Sequence, residues 1–397
     1  MLMQSPHPPA DSPVVSTEVQ LERPLRVCFM IDNLRVAGVE SQLLLLLNRL
    51  DRSRIQPCLC ILNGADDVSR SLEPGDCQVL RLEVRALHNP SSLLRGLRLA
   101  RFLRRQRIDV LQLFFADSTY FGVVAGKLAR VPCIVRSRLD IGFWVRPIDR
   151  LLGRICSRLV DATVANCEAA RQSVIIDERA EPESVVIIPN GVDLSRFEGV
   201  AAIRAGRRLT DGPIIGAIAN LRPWKNIDVL VRAAARLTET HPTISFRVAG
   251  EGECRAELEQ LINSLGLQDR FRLLGTVTDI PAFLANLDIA VLCSQTEGAP
   301  NAIMEYMVAG LPIVVTAVGG NAEMIDAETC GLLVLPGDVD QLAAAIDRLI
   351  RDEPLAARMA ANALEKALRE YGVEIYVRRY ESLYANLFRG LVPSIST

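Results

Sequence analysis

The feature that most limits the fold of this chain is a repeated one: two successive series of short apolar runs, each run followed by a stretch with helical spacing. The first series begins at Leu25-Arg26-Val27-Cys28-Phe29-Met30-Ile31 and continues through 56–62, 78–82, 110–113, 133–138, 162–165 and 185–188. The second restarts at Pro213-Ile214-Ile215-Gly216-Ala217-Ile218-Ala219 and runs through 244–249, 271–274, 289–292, 313–316 and 332–335. Runs this apolar suit strands buried on both faces, and strand–helix alternation calls for parallel sheets with right-handed crossovers. At 397 residues the chain is long for one core, so each series is expected to form its own doubly wound α/β domain. Pro189-Asn190-Gly191-Val192-Asp193 is a turn signal between them, followed by a polar stretch to Asp211. The expected division is a proline-rich disordered leader at 1–22, a Rossmann-like domain at 23–195, a linker at 196–211, a second Rossmann-like domain at 212–372 and a helical tail at 373–397.

Bulk chemistry narrows the function. Hydrophobic residues make up 49% of the chain and charged ones 23%, the balance of a globular protein. No run approaches the ~18–20 apolar residues that span a bilayer, and the first 22 residues lack the basic and apolar regions of a signal peptide. The ten cysteines are scattered, with no Cys-x-x-Cys, and read as buried reduced thiols of a cytoplasmic protein. With only His7, His88 and His241, a histidine-based metal centre is not expected. Net charge is −2, yet residues 81–158 hold sixteen Lys/Arg against five Asp/Glu. Within that basic region, 93–105 alternates leucines and arginines at helical spacing. Two readings fit: a surface helix with its leucines in the core, or a basic face held against anionic lipid or an anionic acceptor. Nothing points to nucleic acid.

The residues richest in chemistry are Glu297-Gly298-Ala299-Pro300-Asn301-Ala302-Ile303-Met304-Glu305, set between two apolar strand runs. Pro300 suits the first position of a helix, since its missing N–H has no intrahelical partner there. The N–H groups of Asn301, Ala302 and Ile303 would then face outward and favour an anion. Glu297 would stand in the loop and Glu305 about a turn and a half inside the helix. Carboxylates suit neutral hydroxyls and amides suit phosphate, and a nucleotide-sugar offers both. Lys225, in Asn220-Leu221-Arg222-Pro223-Trp224-Lys225-Asn226 after the second domain's first strand, is a compact positive charge for a diphosphate, which Arg222 could grip bidentately.

Glu-x7-Glu, followed by Pro312 and Gly319-Gly320-Asn321-Ala322-Glu323, resembles the donor motif of retaining GT-B glycosyltransferases of the GT4 type. The resemblance covers roughly residues 26–388 and is looser in the first half. It implies a GT-B fold, two Rossmann-like domains facing across a cleft, with the tail at 373–388 returning to the first domain. It implies Glu297, Lys225 and Arg222 as catalytic groups, although the family's arginine position falls on Asn220 here. Glu305 would bind the ribose hydroxyls, Glu297 a donor-sugar hydroxyl, and Gly298, Ala299, Pro300 and Asn301 the sugar or phosphate. The loops carrying Gly250 and Gly252, and Thr276 and Val277, would approach the nucleotide. Gly319, Gly320 and Glu323 read equally as a donor contact or as a sharp turn with a helix-start acid.

On the acceptor side the resemblance implies a backbone contact by Gly38, where the family's earlier glycine is Ala37. The position that often holds a histidine is Arg138, so no general base is assigned; Arg138 and Asp140 either orient the acceptor or form a structural ion pair. The implied reaction is metal-independent transfer of a sugar from a nucleotide diphosphate sugar, UDP favoured, to a glycan or lipid-linked acceptor in surface polysaccharide assembly. No cofactor beyond that co-substrate is expected, and the location is cytoplasmic or peripheral on the membrane's inner face. A nucleotide-sugar epimerase and a silent nucleotide-sugar- or partner-binding homologue are the alternatives.

Overall fold

The protein is described from a computed structural model at residues 23–35, 37–63, 67–84, 89–142, 146–200, 203–204 and 212–391. The expected leader at 1–22 and most of the linker at 196–211 lie outside these residues.

The two series of apolar runs form two all-parallel sheets. In the first, β1 (Leu25–Ile31), β2 (Ile55–Ile61), β3 (Gln78–Arg81), β4 (Val110–Leu113), β5 (Cys133–Arg138), β6 (Ala162–Ala165) and β7 (Val185–Ile187) stand in the order β3-β2-β1-β4-β5-β6-β7. The second contains β8 (Ile214–Ile218), β9 (Ser245–Ala249), β10 (Phe271–Gly275), β11 (Ile289–Leu292), β12 (Ile313–Thr316) and β13 (Leu332–Val334), ordered β10-β9-β8-β11-β12-β13. In both sheets the order reverses beside the first strand, between β1 and β4 and between β8 and β11. That switch point opens a crevice at the carboxyl ends of the strands, where ligands of such sheets bind.

Helices cover both faces of each sheet. On one face of the first sheet, Gly38–Arg49 packs with the C-terminal helix Val373–Phe388 over Phe29, Ile31 and Val135. Tyr376, Tyr380 and Tyr384 are buried there in a ladder with ring centroids 5.2 and 5.8 Å apart, and Tyr384 lies edge-on to Phe29. The chain's last helix therefore completes the core of its first sheet. The opposite face carries Pro90–Arg105, Ala116–Ala129 and Pro147–Leu159, each touching the next. Cys28, Cys58 and Cys60 share that inner face. All ten cysteines are free, and Cys254 alone of them is not buried.

The basic segment is helical as expected, and part of its apolar content does enter the core: Leu99 and Leu103 are buried. Leu93, Leu94 and Leu97 point outward and are more than half exposed, so core packing accounts for only some of the leucines.

Candidate active site in the interdomain cleft

Loops following β8, β11 and β12 build the second half's side of the cleft. After β8 the chain makes a short 3-10 turn, Pro223–Lys225, which ends at Asn226 in the left-handed region at φ 49°. Cys293, just past β11, donates its thiol to the carbonyls of Lys225 and Asn226 at 3.4 and 3.1 Å, and Gln295 N donates to the Trp224 carbonyl at 2.7 Å. These bonds bring Lys225 to the segment with Glu297. Lys225 Nζ bonds Glu297 Oε1, which also accepts from Ser294 Oγ at 2.6 Å. Both charged side chains are largely enclosed, 19% and 11% exposed. Glu297 Oε2 makes no hydrogen bond among the described residues.

Pro300 is the cap residue rather than the first helical one: its backbone is extended and the helix runs Asn301–Val308. A proline with ψ 131° cannot lie inside the helix, and its carbonyl instead accepts from Ile303 N at 3.2 Å. Of the three amides the sequence expects to face outward, that of Ile303 is therefore engaged, leaving those of Asn301 and Ala302. Tyr306, fully buried, fastens this helix to the sheet by accepting from Ile218 N at 2.7 Å and donating to the Val291 carbonyl. The carboxyl of Glu305 beside it accepts no hydrogen bond among the described residues, while its backbone carbonyl accepts from Ala309 N at 3.0 Å. Burial pushes its carboxyl up to about 7, against a smaller opposing pull from Arg196.

The remaining positions expected on the donor side have mixed fates. Gly250 sits at φ 149° with its amide bonded to the Gly275 carbonyl at 2.8 Å, and a Cβ there would lie 2.0 Å from the Ala219 carbonyl oxygen. The close approach it permits is to a neighbouring loop. Gly252 lies in that loop, with Thr276 and Val277 beyond β10 on the adjoining one. Arg222 does not join Lys225 and Glu297; it is exposed, with its guanidinium 5.2 Å from the Trp224 ring centre. Glu323 accepts from Glu168 N and Ala169 N at 2.7 and 2.8 Å, capping the helix Glu168–Glu178 of the first half. Gly320 N donates to the Gly298 carbonyl at 2.9 Å. Gly319, Gly320 and Glu323 thus brace the Glu297–Gly298 loop and bind the other half of the molecule. Asp338-Val339-Asp340, an Asp-x-Asp, is occupied too: Asp338 caps its helix through Gln341 N, and Asp340 pairs with Arg236.

The two halves meet at the start of the helix Asn301–Val308. Asn301 Nδ2 donates to the Gly38 carbonyl at 3.2 Å, while Asn190 Nδ2 donates to Asn301 Oδ1 and the Ala299 carbonyl at 2.9 and 3.0 Å. A Cβ on Gly298 would stand 2.4 Å from the Leu139 carbonyl oxygen, so only glycine lets these loops touch. Gln42 fixes Gly191 through both backbone groups at 2.8 Å.

Opposite lies a cavity of about 420 Å³ lined by Asp32, Tyr120, Arg138, Asp140, Asp149 and Gly153, among others. Arg138 and Asp140 are paired at 3.3 Å, and Arg138 also reaches Glu178 at 3.0 Å. Glu178 in turn neutralises Arg136, fully buried and bonded to Thr163 Oγ1 and Ser157 Oγ. Arg138 thus stands on the cavity wall within a network of ion pairs. Gly38 opens its helix against Asn301, outside the lining of this cavity. Asp32, at the carboxyl end of β1, lines the same cavity, and the sequence signal for it is its place directly after the first apolar run. It accepts from Ser118 N at 2.7 Å, and burial pushes its carboxyl up to about 6. Among the described residues no group of three or more His, Cys, Asp or Glu could hold a metal ion.

Comparison with known proteins accords with this fold. Residues 37–191 match the model of the glycosyl transferase 4-like domain, and 201–366 that of glycosyl transferases group 1. An Escherichia coli UDP-Gal:alpha-D-GlcNAc-diphosphoundecaprenol alpha-1,3-galactosyltransferase is 27% identical over 73% of this chain and 78% of its own. A 2-deoxystreptamine glucosyltransferase from Streptomyces kanamyceticus is 28% identical over 68% of this chain and 75% of its own. Among solved structures, Anabaena HepE in complex with UDP superposes with a TM-score of 0.79 at 21% identity, covering 91% of this chain and 100% of that one.

Proposed function

Given that the chain belongs to the GT4-type group 1 glycosyltransferases, we propose that it is a retaining enzyme using a UDP-sugar to glycosylate a lipid-linked or glycan acceptor in surface polysaccharide assembly. The observation that carries this reading is the cluster of Lys225, Glu297 and Ser294 at the start of the helix that bears Glu305. One positive charge and two outward amides suit a diphosphate, and two carboxylates at different depths suit the hydroxyls of sugar and ribose. The Escherichia coli relative, named for a UDP-linked donor and a lipid diphosphate acceptor, supports the substrate classes.

In this reading the donor lies along the second half with its diphosphate at Lys225 and the amides of Asn301 and Ala302. The bond from the sugar's anomeric carbon to the diphosphate oxygen breaks, and its electron pair stays on that oxygen. The same oxygen takes the acceptor hydroxyl's proton as the acceptor oxygen bonds the anomeric carbon on the same face, so configuration is retained. Lys225 stabilises the charge on the leaving group. Glu297 holds the lysine through Oε1 and offers Oε2 to a sugar hydroxyl. The cavity at Asp32, Arg138 and Asp140 receives the acceptor. The first half faces an anionic membrane surface through the arginines of Pro90–Arg105, and among the described residues no helix is long and apolar enough to cross a membrane.

The test is a thermal-shift screen of UDP-, GDP- and ADP-sugars, since a ligand of the folded state alone raises its melting temperature. Product analysis with the best donor and a bacterial lipid extract follows. A sugar moved to lipid or glycan with its anomeric configuration kept is the expected result. An isomerised nucleotide-sugar would make the protein an epimerase, and a donor bound but unchanged would make it a binding homologue.

A further inference from the structure

The helix Pro147–Leu159 is amphipathic in the wrong direction for a core helix. Gly153 and Cys156 face inward, while Ile148, Leu151, Ile155 and Leu159 point outward, each between 39% and 52% exposed. Their spacing of three, four and four residues makes one continuous stripe. The neighbouring helix Ala116–Ala129 also turns Val124 and Leu128 outward, at 60% and 52% exposed, Leu128 beside Leu97 and Arg101 of Pro90–Arg105. An apolar stripe running the length of one helix marks an interaction site rather than scattered exposure.

Its charged rim identifies the occupant. Arg150 and Arg158 are exposed beside the stripe, and Asp149, the acid of this helix, is bound to Arg146 at 2.9 Å. On the far side of Ala116–Ala129, the helix Pro90–Arg105 adds five arginines and no acid to the same face of the first half. Two copies of this surface would bring arginines against arginines. A bilayer with anionic headgroups offers both the apolar phase and the opposite charge.

The same helix also walls the acceptor cavity: Asp149 and Gly153 line it together with Tyr120, Arg138 and Asp140. A helix is about 10–12 Å across, so the cavity stands one helix from whatever covers the stripe. We propose that Pro147–Leu159 lies in the membrane interface with its stripe among the acyl chains, and that the acceptor cavity is loaded from the bilayer plane around this helix. The loading rests on the reading that the acceptor is lipid-linked; the insertion does not.

The test uses the full chain with vesicles of phosphatidylcholine alone or mixed with phosphatidylglycerol. The expected result is sedimentation with the anionic vesicles, lowered at least about tenfold by Leu151→Ser with Ile155→Ser, the loss expected for two exposed aliphatic side chains that enter lipid. Melting temperature and UDP affinity of that variant should match the wild type, showing that it folds. An Ile155→Trp reporter should shift its emission to the blue on vesicle addition and be quenched by brominated acyl chains. Equal sedimentation of wild type and double variant, or a reporter left open to aqueous quencher on the vesicles, would overturn the proposal. A lipid-free dimer that the double variant dissolves would overturn it too, in favour of a second copy. If no UDP-sugar binds, the glycosyltransferase reading fails; if UDP-sugar binds but vesicle binding ignores the stripe, only this inference fails.

Discussion

At the scale of single residues, the two carboxylates of the donor segment stand in opposite electrostatic settings. Glu297 is held by Lys225 and Ser294, whereas the carboxyl of half-buried Glu305 has no hydrogen-bond partner among the described residues. Its ordinary value near 4.5 rises to about 7 because burial disfavours the charge. The folded protein then binds more protons than the unfolded chain between those values. The stability contributed by this group is complete below the unfolded value and lost as pH rises through about 7. Nucleotide binding should carry the opposite sign, since ribose hydroxyls donate to the ionised form. We expect UDP affinity to fall between pH 8 and pH 6 and a proton to be released on binding near pH 7. Calorimetry in buffers of different ionisation enthalpy measures both, and Glu305→Gln should flatten the dependence while costing about 1.5–3 kcal/mol of binding at pH 8. An unchanged slope in that variant would remove Glu305 from the ribose site. Lys225 is the positive charge bound to Glu297, so Lys225→Ala should lower kcat by on the order of a hundredfold or more. Activity should persist in EDTA, because the leaving-group charge is carried by this lysine and the helix amides; an absolute need for added Mg²⁺ would sink that assignment.

At the scale of elements, strands and helices were legible because apolar runs and 3.6-residue spacing are local signals, and the donor segment was legible for the same reason. The partners of its residues were not. Nothing near Glu323 in sequence indicates that it caps Glu168–Glu178, 155 positions away from its bond to Glu168 N. Asn190 reads locally as turn punctuation, yet it holds Ala299 and Asn301 across the cleft. Arg222 reads as a partner of Lys225, but the 3-10 turn sends it over Trp224. The cap gives a prediction: Glu323→Ala leaves two helix-start amides without an acceptor and should cost about 1–2 kcal/mol of stability. Denaturant titration checks this, and Glu323→Gln should recover part of it. The basic helix gives another. Arg98, Arg101 and Arg105 are exposed on Pro90–Arg105, so their replacement by Gln should weaken binding to anionic vesicles while leaving UDP affinity unchanged. Wild-type binding should also weaken as salt shortens the Debye length to roughly 10 Å at 0.1 M. Sedimentation equal on neutral and anionic vesicles would make those arginines a solvated face.

At the scale of the whole molecule, the chain closes on itself. The first sheet's core is completed by the last helix, through Tyr376, Tyr380 and Tyr384 and a bond from Tyr384 Oη to Gln112 Oε1 at 3.1 Å. Gln112 passes the connection to Ser137 Oγ in β5 at 3.0 Å, one residue from Arg138 on the cavity wall. Among the described residues, the cores that hold the second sheet include none from Val373 onward, although one of them also takes in Ala165, Val174 and Val185 of the first half. Truncation before Val373 should therefore act unequally on the two halves. The first half would lose three large buried aromatic rings at once, where a single Phe or Trp truncation costs about 3–5 kcal/mol, a sum comparable to the whole stability of a domain. The second half would keep its sheet, its helices and the cluster of Lys225, Glu297 and Glu305. Hydrogen exchange on the truncated chain should show fast exchange through β1, β4 and β5 and protection through β8, β11 and β12, with UDP still bound. Protection lost equally in both halves would mean that they fold as one unit, with the contacts at Asn301 and Glu323 carrying more of the stability than the closing helix does.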